Sequence, residues 1–221
     1  MKRIYIPGLL LLLFNLSLHG QDVLTQAADL TAQANFEASD KILEEFIENN
    51  PTRLYDLADA WFIKSYNAMQ LGDYQEALRT NKISADLKTR LYAEDIALNY
   101  MREGTIYLLS GDYERALNIL TSATEFPIED PQVYALIYAY IASAYQESGN
   151  YPKALLKQTE SLEILEFELG TEHPDYVVGL YDLGRLYTQM NQPEEAEKTL
   201  KKALGFVQLL ENSTLLKARI L

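Results

Sequence analysis

One short turn recurs four times in this chain and limits the folds open to it. The segments are Leu71-Gly-Asp-Tyr-Gln-Glu-Ala77, Ser110-Gly-Asp-Tyr-Glu-Arg-Ala116, Ser148-Gly-Asn-Tyr-Pro-Lys-Ala154 and Met190-Asn-Gln-Pro-Glu-Glu-Ala196. Their anchors, Gly72, Gly111, Gly149 and Asn191, lie 39, 38 and 42 residues apart, enough for two helices and two short connections. Gly or Asn tolerates the left-handed backbone that ends a helix, and Asp112 or Asn150 is placed to cap the next one. Five residues after each anchor stands Ala77, Ala116, Ala154 or Ala196, where a small side chain lets two helices approach closely. The sequence therefore predicts an all-α chain of stacked helical hairpins.

These positions resemble the tetratricopeptide repeat family, whose hairpins carry an aromatic and a small residue in the first helix, a Gly-Asp-Tyr turn and Ala in the second helix. Trp61 matches the early aromatic, Gly104 and Gly184 the small position, Tyr107, Tyr145 and Tyr187 the tyrosine three residues on, and Ala123 and Ala203 the second-helix alanine. Ser65 and Ala142 depart from the first-helix Gly. Asn81 and Gln158 depart from a bulky apolar residue in the second helix, which leads one to expect looser packing in those hairpins. The last full unit, from Gly170-Thr-Glu-His-Pro-Asp to Leu204, resembles the longer kinesin light chain-type repeat. The resemblance implies a right-handed superhelical α-solenoid of about five hairpins over residues 21–212, the first degenerate and closed by Asn49-Asn50-Pro51. Residues 213–221 begin a further, incomplete repeat helix, and Leu215 to Leu221 lacks the polar face expected of a capping helix.

The N-terminus has another character. Met1-Lys2-Arg3 is basic, Ile4 to Leu18 is almost wholly apolar, and the chain turns polar at Gln21-Asp22. That is the layout of a signal peptide over residues 1–20, with cleavage expected after Gly20 and export from a bacterial cytoplasm to the periplasm or beyond. Leu18 stands where a small residue is usual, so an uncleaved membrane anchor is the alternative, and only that form would involve a membrane.

The composition excludes several classes of function. There is no cysteine, hence no disulfide, thiolate metal site or lipid-attachment Cys. The formal charge of -13 rises in magnitude to -15 once Lys2 and Arg3 are removed, and such a surface repels nucleic acid. Of the two histidines only His173 remains beyond the signal segment, and its place before Pro174 suits a helix start. Glu44-Glu45 and Glu194-Glu195 diverge on a helix and form no convergent carboxylate pair. No Gly-rich phosphate loop follows a strand, and the Asn-x-Ser/Thr matches at Asn15 and Asn212 are at chance level. The expectation is a non-enzymatic chain with no metal and no cofactor.

In stacks that resemble this one, the first helices line a concave groove that holds a peptide or protein partner. By register the candidates are Phe62, Tyr66 and Met69; Met101, Thr105 and Leu108; Ser143 and Gln146; and Tyr181, Arg185 and Thr188. The alternative implied by resemblance is the N-terminal regulatory part of a longer exported protein, such as a caspase-like peptidase or a membrane sensor kinase.

Overall fold

The structure is a computed structural model that describes residues 22–91 and 95–209. The expected signal peptide, its cleavage point and the helix at 213–221 lie outside the described residues. The chain divides into two compact units, one ending at Pro127 and the other starting at Ile128. The first holds α1 (Asp22–Ala32), α2 (Phe36–Asn49), α3 (Leu54–Leu71), α4 (Tyr74–Leu91), α5 (Ile96–Ser110) and α6 (Tyr113–Ala123). The second holds α7 (Pro131–Glu147), α8 (Tyr151–Glu168), α9 (Pro174–Gln189) and α10 (Pro193–Leu209). Consecutive helices pair as α1/α2, α3/α4, α5/α6, α7/α8 and α9/α10, so the described residues form five hairpins.

The recurrent turn closes each of the last four hairpins by one mechanism. Gly72, Gly111 and Gly149 have φ of 81°, 86° and 80°, and Asn191 reaches 56°, the left-handed region that reverses the chain. The next amide then reaches back over the helix end: Asp73 to the Ala68 carbonyl, Asp112 to Tyr107, Asn150 to Tyr145 and Gln192 to Tyr187, at 2.8 to 2.9 Å. In the first three, the carboxylate or amide oxygen of Asp73, Asp112 or Asn150 accepts from the third amide of the following helix. The fourth has Gln192 at that place, and Pro193 occupies the first helical position instead, where a missing N–H costs nothing. His173 is likewise structural: it precedes Pro174 at the start of α9, and its Nδ1 accepts from the Asp175 amide at 3.3 Å.

Inside the hairpins, bulk on one helix answers bulk on the other. A Cβ placed on Gly104 would lie 2.5 Å from Leu120 Cγ, and one on Gly184 would lie 2.6 Å from the same atom of Leu200. The hairpins with Ser65 and Ala142 in place of Gly carry Asn81 and Gln158 in place of Leu. These amides are not loosely held. Both are buried, and each reaches the first helix of the next hairpin in its unit: Asn81 Nδ2 donates to the Asn99 carbonyl at 2.9 Å, and Gln158 Nε2 to the Gly179 carbonyl at 3.0 Å. The expected looseness is therefore corrected. An amide in a closed site is held by the hydrogen bond it makes, since leaving it unpaired would cost about 1–3 kcal/mol.

The interior of the first unit is apolar around Leu24, Leu43, Ile63, Ile106 and Leu120, each worth on the order of 1.5–3 kcal/mol when buried. Between its first two hairpins lies a closed polar relay. Thr31 Oγ1 donates to Asn67 Oδ1 at 2.8 Å, Ser39 Oγ lies 2.9 Å from Thr31 Oγ1, and Asn67 Nδ2 donates to Asp40 Oδ1 at 2.8 Å. Such a network fixes register because any slip leaves its members unpaired. In the second unit Ala135, Leu162, Leu165, Tyr176, Val177, Leu180, Ala203 and Val207 form the core. The Tyr176 hydroxyl donates to Glu166 at 3.0 Å and accepts from Lys202 at 2.8 Å, which satisfies its polar end.

Candidate functional site

The eleven candidate groove residues separate by unit. Six of them, Phe62, Tyr66, Met69, Met101, Thr105 and Leu108, are buried inside the first unit, each no more than 3% exposed. The register placed them on one face of α3 and α5 but could not show what lies over that face. Cations do. The Arg102 guanidinium carbon sits 4.4 Å from the centre of the Phe62 ring and 4.9 Å from that of Tyr66, and the Lys88 ammonium lies 4.8 Å from Phe62. Phe36 of α2 meets Tyr66 edge-on at 6.5 Å. Lys88 in turn bonds to Asp95 and lies 4.0 Å from Asp59, so its charge is compensated where it is buried. Aromatic faces attract such cations through the ring quadrupole, more strongly as water is excluded. The sequence reading missed both Lys88 and Arg102, because a long charged side chain on a helix is ordinarily assigned to the solvent.

The other five candidates are accessible on the first helices of the second unit. Ser143 and Gln146 on α7 and Tyr181 on α9 are half-buried, while Arg185 and Thr188 on α9 are exposed. The Arg185 guanidinium lies 6.0 Å from the Tyr181 ring centre and 3.5 Å from Asp182. Thr188 also borders a cavity of about 490 Å³ lined by Ala196, Leu200 and Leu204 of α10. A second cavity, of about 360 Å³, opens between α7 and α8 beside Phe167, which is 86% exposed. That site was also missed, although an apolar residue between two glutamates, in Glu166-Phe167-Glu168, was a signal available in the sequence.

Among the described residues no group of three His, Cys, Asp or Glu is placed to hold a metal ion, and no helix is long and apolar enough to cross a membrane. Burial raises Asp40 above its ordinary 3.8, against the opposing hydrogen bond from Asn67 and the attraction of Lys64. Burial likewise raises Glu103 above 4.5, against the attraction of Lys82. Because the folded chain holds these protons more tightly than the unfolded one, their contribution to stability is greatest at low pH and is lost as pH rises through the folded values. Asp40→Asn with Glu103→Gln is thus expected to gain on the parent chain as pH rises from about 4 towards neutrality, and urea unfolding at a series of pH values measures the difference. A parent and variant that track one another in parallel would show that neither carboxyl is linked to folding.

The geometry now has counterparts among known proteins. The family model described as tetratricopeptide repeat matches residues 134–208, which span α7 to α10. Residues 134–208 carry tetratricopeptide repeats. The same fold runs through the five described hairpins: a thermophilic tetratricopeptide repeat protein of Thermus thermophilus aligns over 90% of this chain and 96% of its own, with a TM-score of 0.68 and 21% identity. The protein BtubC (BKLC) from P. vanneervenii covers 89% of this chain and 78% of its own at a TM-score of 0.67 and 17% identity. A putative kinesin light chain from Podosopora anserina, built of nearly identical tetratricopeptide-like repeats, covers 86% and 95% at 0.63 and 16%. At these identities the likeness is one of fold. No curated protein matches the chain at the level of sequence. Tetratricopeptide repeats are typically scaffolds for protein–protein interaction.

Proposed function

We propose that this chain is an exported, non-catalytic scaffold that binds a protein or peptide partner on the first-helix surface of its second unit. The observation that carries the proposal is the split among the candidates. In the first unit the equivalent positions are filled and covered, whereas Tyr181 and Arg185 of α9, with Ser143 and Gln146 of α7, keep surface that a partner can reach. Tyr and Arg are the residue types most enriched where interfaces concentrate their binding energy. The basic and apolar N-terminal sequence supports export, with residues 1–20 as the signal peptide and the repeats from residue 21 as the working part.

The experiment is affinity capture of a partner from a bacterial envelope extract, with the full chain and its Tyr181→Ala plus Arg185→Ala variant side by side. Binding of the retained partner is expected to weaken about tenfold or more in the double variant, in line with the loss of one or two interface anchors. A partner held equally well by both forms would move the binding surface elsewhere. N-terminal sequencing of the secreted product tests the export step, which predicts a chain starting at Gln21.

A further inference from the structure

The cavity beside Phe167 belongs to a surface distinct from the one proposed above. On α8, Leu156, Glu160, Glu163 and Phe167 recur at helical spacing along one face, with Leu156 56% and Phe167 86% exposed. A single exposed leucine needs no explanation, but a phenylalanine almost wholly in water beside a cavity is an apolar group left without a partner. The cavity is lined by Tyr138 from α7 and by Glu160, Glu163, Ile164, Phe167 and Glu168 from α8. Behind Tyr138 the Tyr134 ring packs at 5.3 Å, which fixes the aromatic wall. The Tyr138 hydroxyl, pushed up to about 12 by burial and by its bond with Tyr134, stays neutral, so the negative charge of the notch resides in its carboxylates.

One end of this notch already holds a cation. The Lys157 ammonium lies 4.6 Å from the centre of the Tyr138 ring and 2.7 Å from Glu160. At the other end Phe167 stands beside Glu163 and Glu168, which have no ion-pair partner among the described residues. An aromatic face next to two carboxylates suits a planar guanidinium better than any other side chain, because it stacks on the ring and bonds the carboxylates in one orientation. The formal charge of -13 adds long-range attraction for such a partner. We infer that the Tyr138–Phe167 notch of the second unit is a docking site for an arginine-bearing, basic segment of a protein partner.

The probe is the blocked heptapeptide Gly-Leu-Arg-Ala-Leu-Arg-Gly, titrated calorimetrically into the full chain at low salt, with its citrulline analogue as a neutral isostere. The arginine peptide is expected to bind and the citrulline peptide to bind about tenfold more weakly or not at all. Phe167→Ala, and separately Glu163→Gln with Glu168→Gln, are each expected to weaken binding about tenfold. Glu194→Gln with Glu195→Gln removes the same charge from another helix and is expected to change affinity less than about twofold, while Tyr181→Ala with Arg185→Ala leaves it unchanged. Phe167, Glu163 and Glu168 are exposed, so these variants keep the fold, and circular dichroism verifies it. The inference is overturned by absence of binding at millimolar peptide, by equal binding of the citrulline form, or by equal losses in the Glu194/Glu195 control. Because the partner on the α9 surface plays no part in the titration, failure here leaves the proposed function standing, and the reverse also holds.

Discussion

Phe62→Ala is expected to lower the stability of the first unit by about 3–5 kcal/mol, the range for deleting a fully buried phenylalanine. For a unit of roughly a hundred residues this corresponds to a fall of about 12 to 40 °C in its melting temperature. The side chain is 1% exposed, and its ring faces both Arg102 and Lys88, so truncation leaves a cavity and also removes the face those cations rest on. Trp61, the single tryptophan of the chain, is the neighbouring residue, and its fluorescence reports unfolding of this unit alone. Phe62→Leu separates the two contributions: it keeps most of the volume while discarding the ring, and is expected to cost about half as much or less. A loss under about 1 kcal/mol in Phe62→Ala would mean that Phe62 is not part of the core and would restore it as a surface residue.

Gly104→Val is expected to cost about 3 kcal/mol, the upper part of the range for forcing extra atoms into a packed interior. A Cβ at this position would meet Leu120 Cγ at 2.5 Å, and the Leu120 amide nitrogen at 3.2 Å, so moving the leucine side chain alone does not relieve the clash and α6 must retreat. Gly104→Ala meets the same atoms but gains about 1 kcal/mol in helix propensity, which makes its net effect smaller. Leu120→Ala alone should cost about 2–5 kcal/mol as a buried truncation. Combined with Gly104→Val it opens the space the valine needs, so the pair is expected to fall short of the sum by about 0.5–3 kcal/mol in a urea-unfolding cycle. Strict additivity would show that the two residues do not touch and that the glycine is there for another reason.

Much of the architecture was legible because it is local. The turn at Gly72, Gly111, Gly149 and Asn191 needs only a residue that tolerates positive φ and a polar side chain one place on, and both are written in a seven-residue window. The spacing of those turns then gave helix lengths, the alanines gave the close approach, and the hairpin count followed. His173 also behaved as its proline neighbour suggested, as a helix cap.

The candidate surface was legible only as a register. That Phe62, Tyr66 and Met69 share a face of α3 follows from 3.6 residues per turn, but whether the face is open depends on side chains that come from α2, α4 and α5. The same register on α9 left Tyr181 and Arg185 accessible. Asn81 and Gln158 teach the same point from the opposite direction. In sequence each is a polar residue where bulk is usual, and only the carbonyls of Asn99 and Gly179, 18 and 21 residues further on, make it a fastening between hairpins. The sequence by itself determined where helices start, stop and turn back, because those events are governed by backbone conformation and by neighbours within one turn. Tertiary structure decided which faces are covered, which buried charges are compensated and where aromatic surface stays open, because each of those is a contact between residues far apart in the chain.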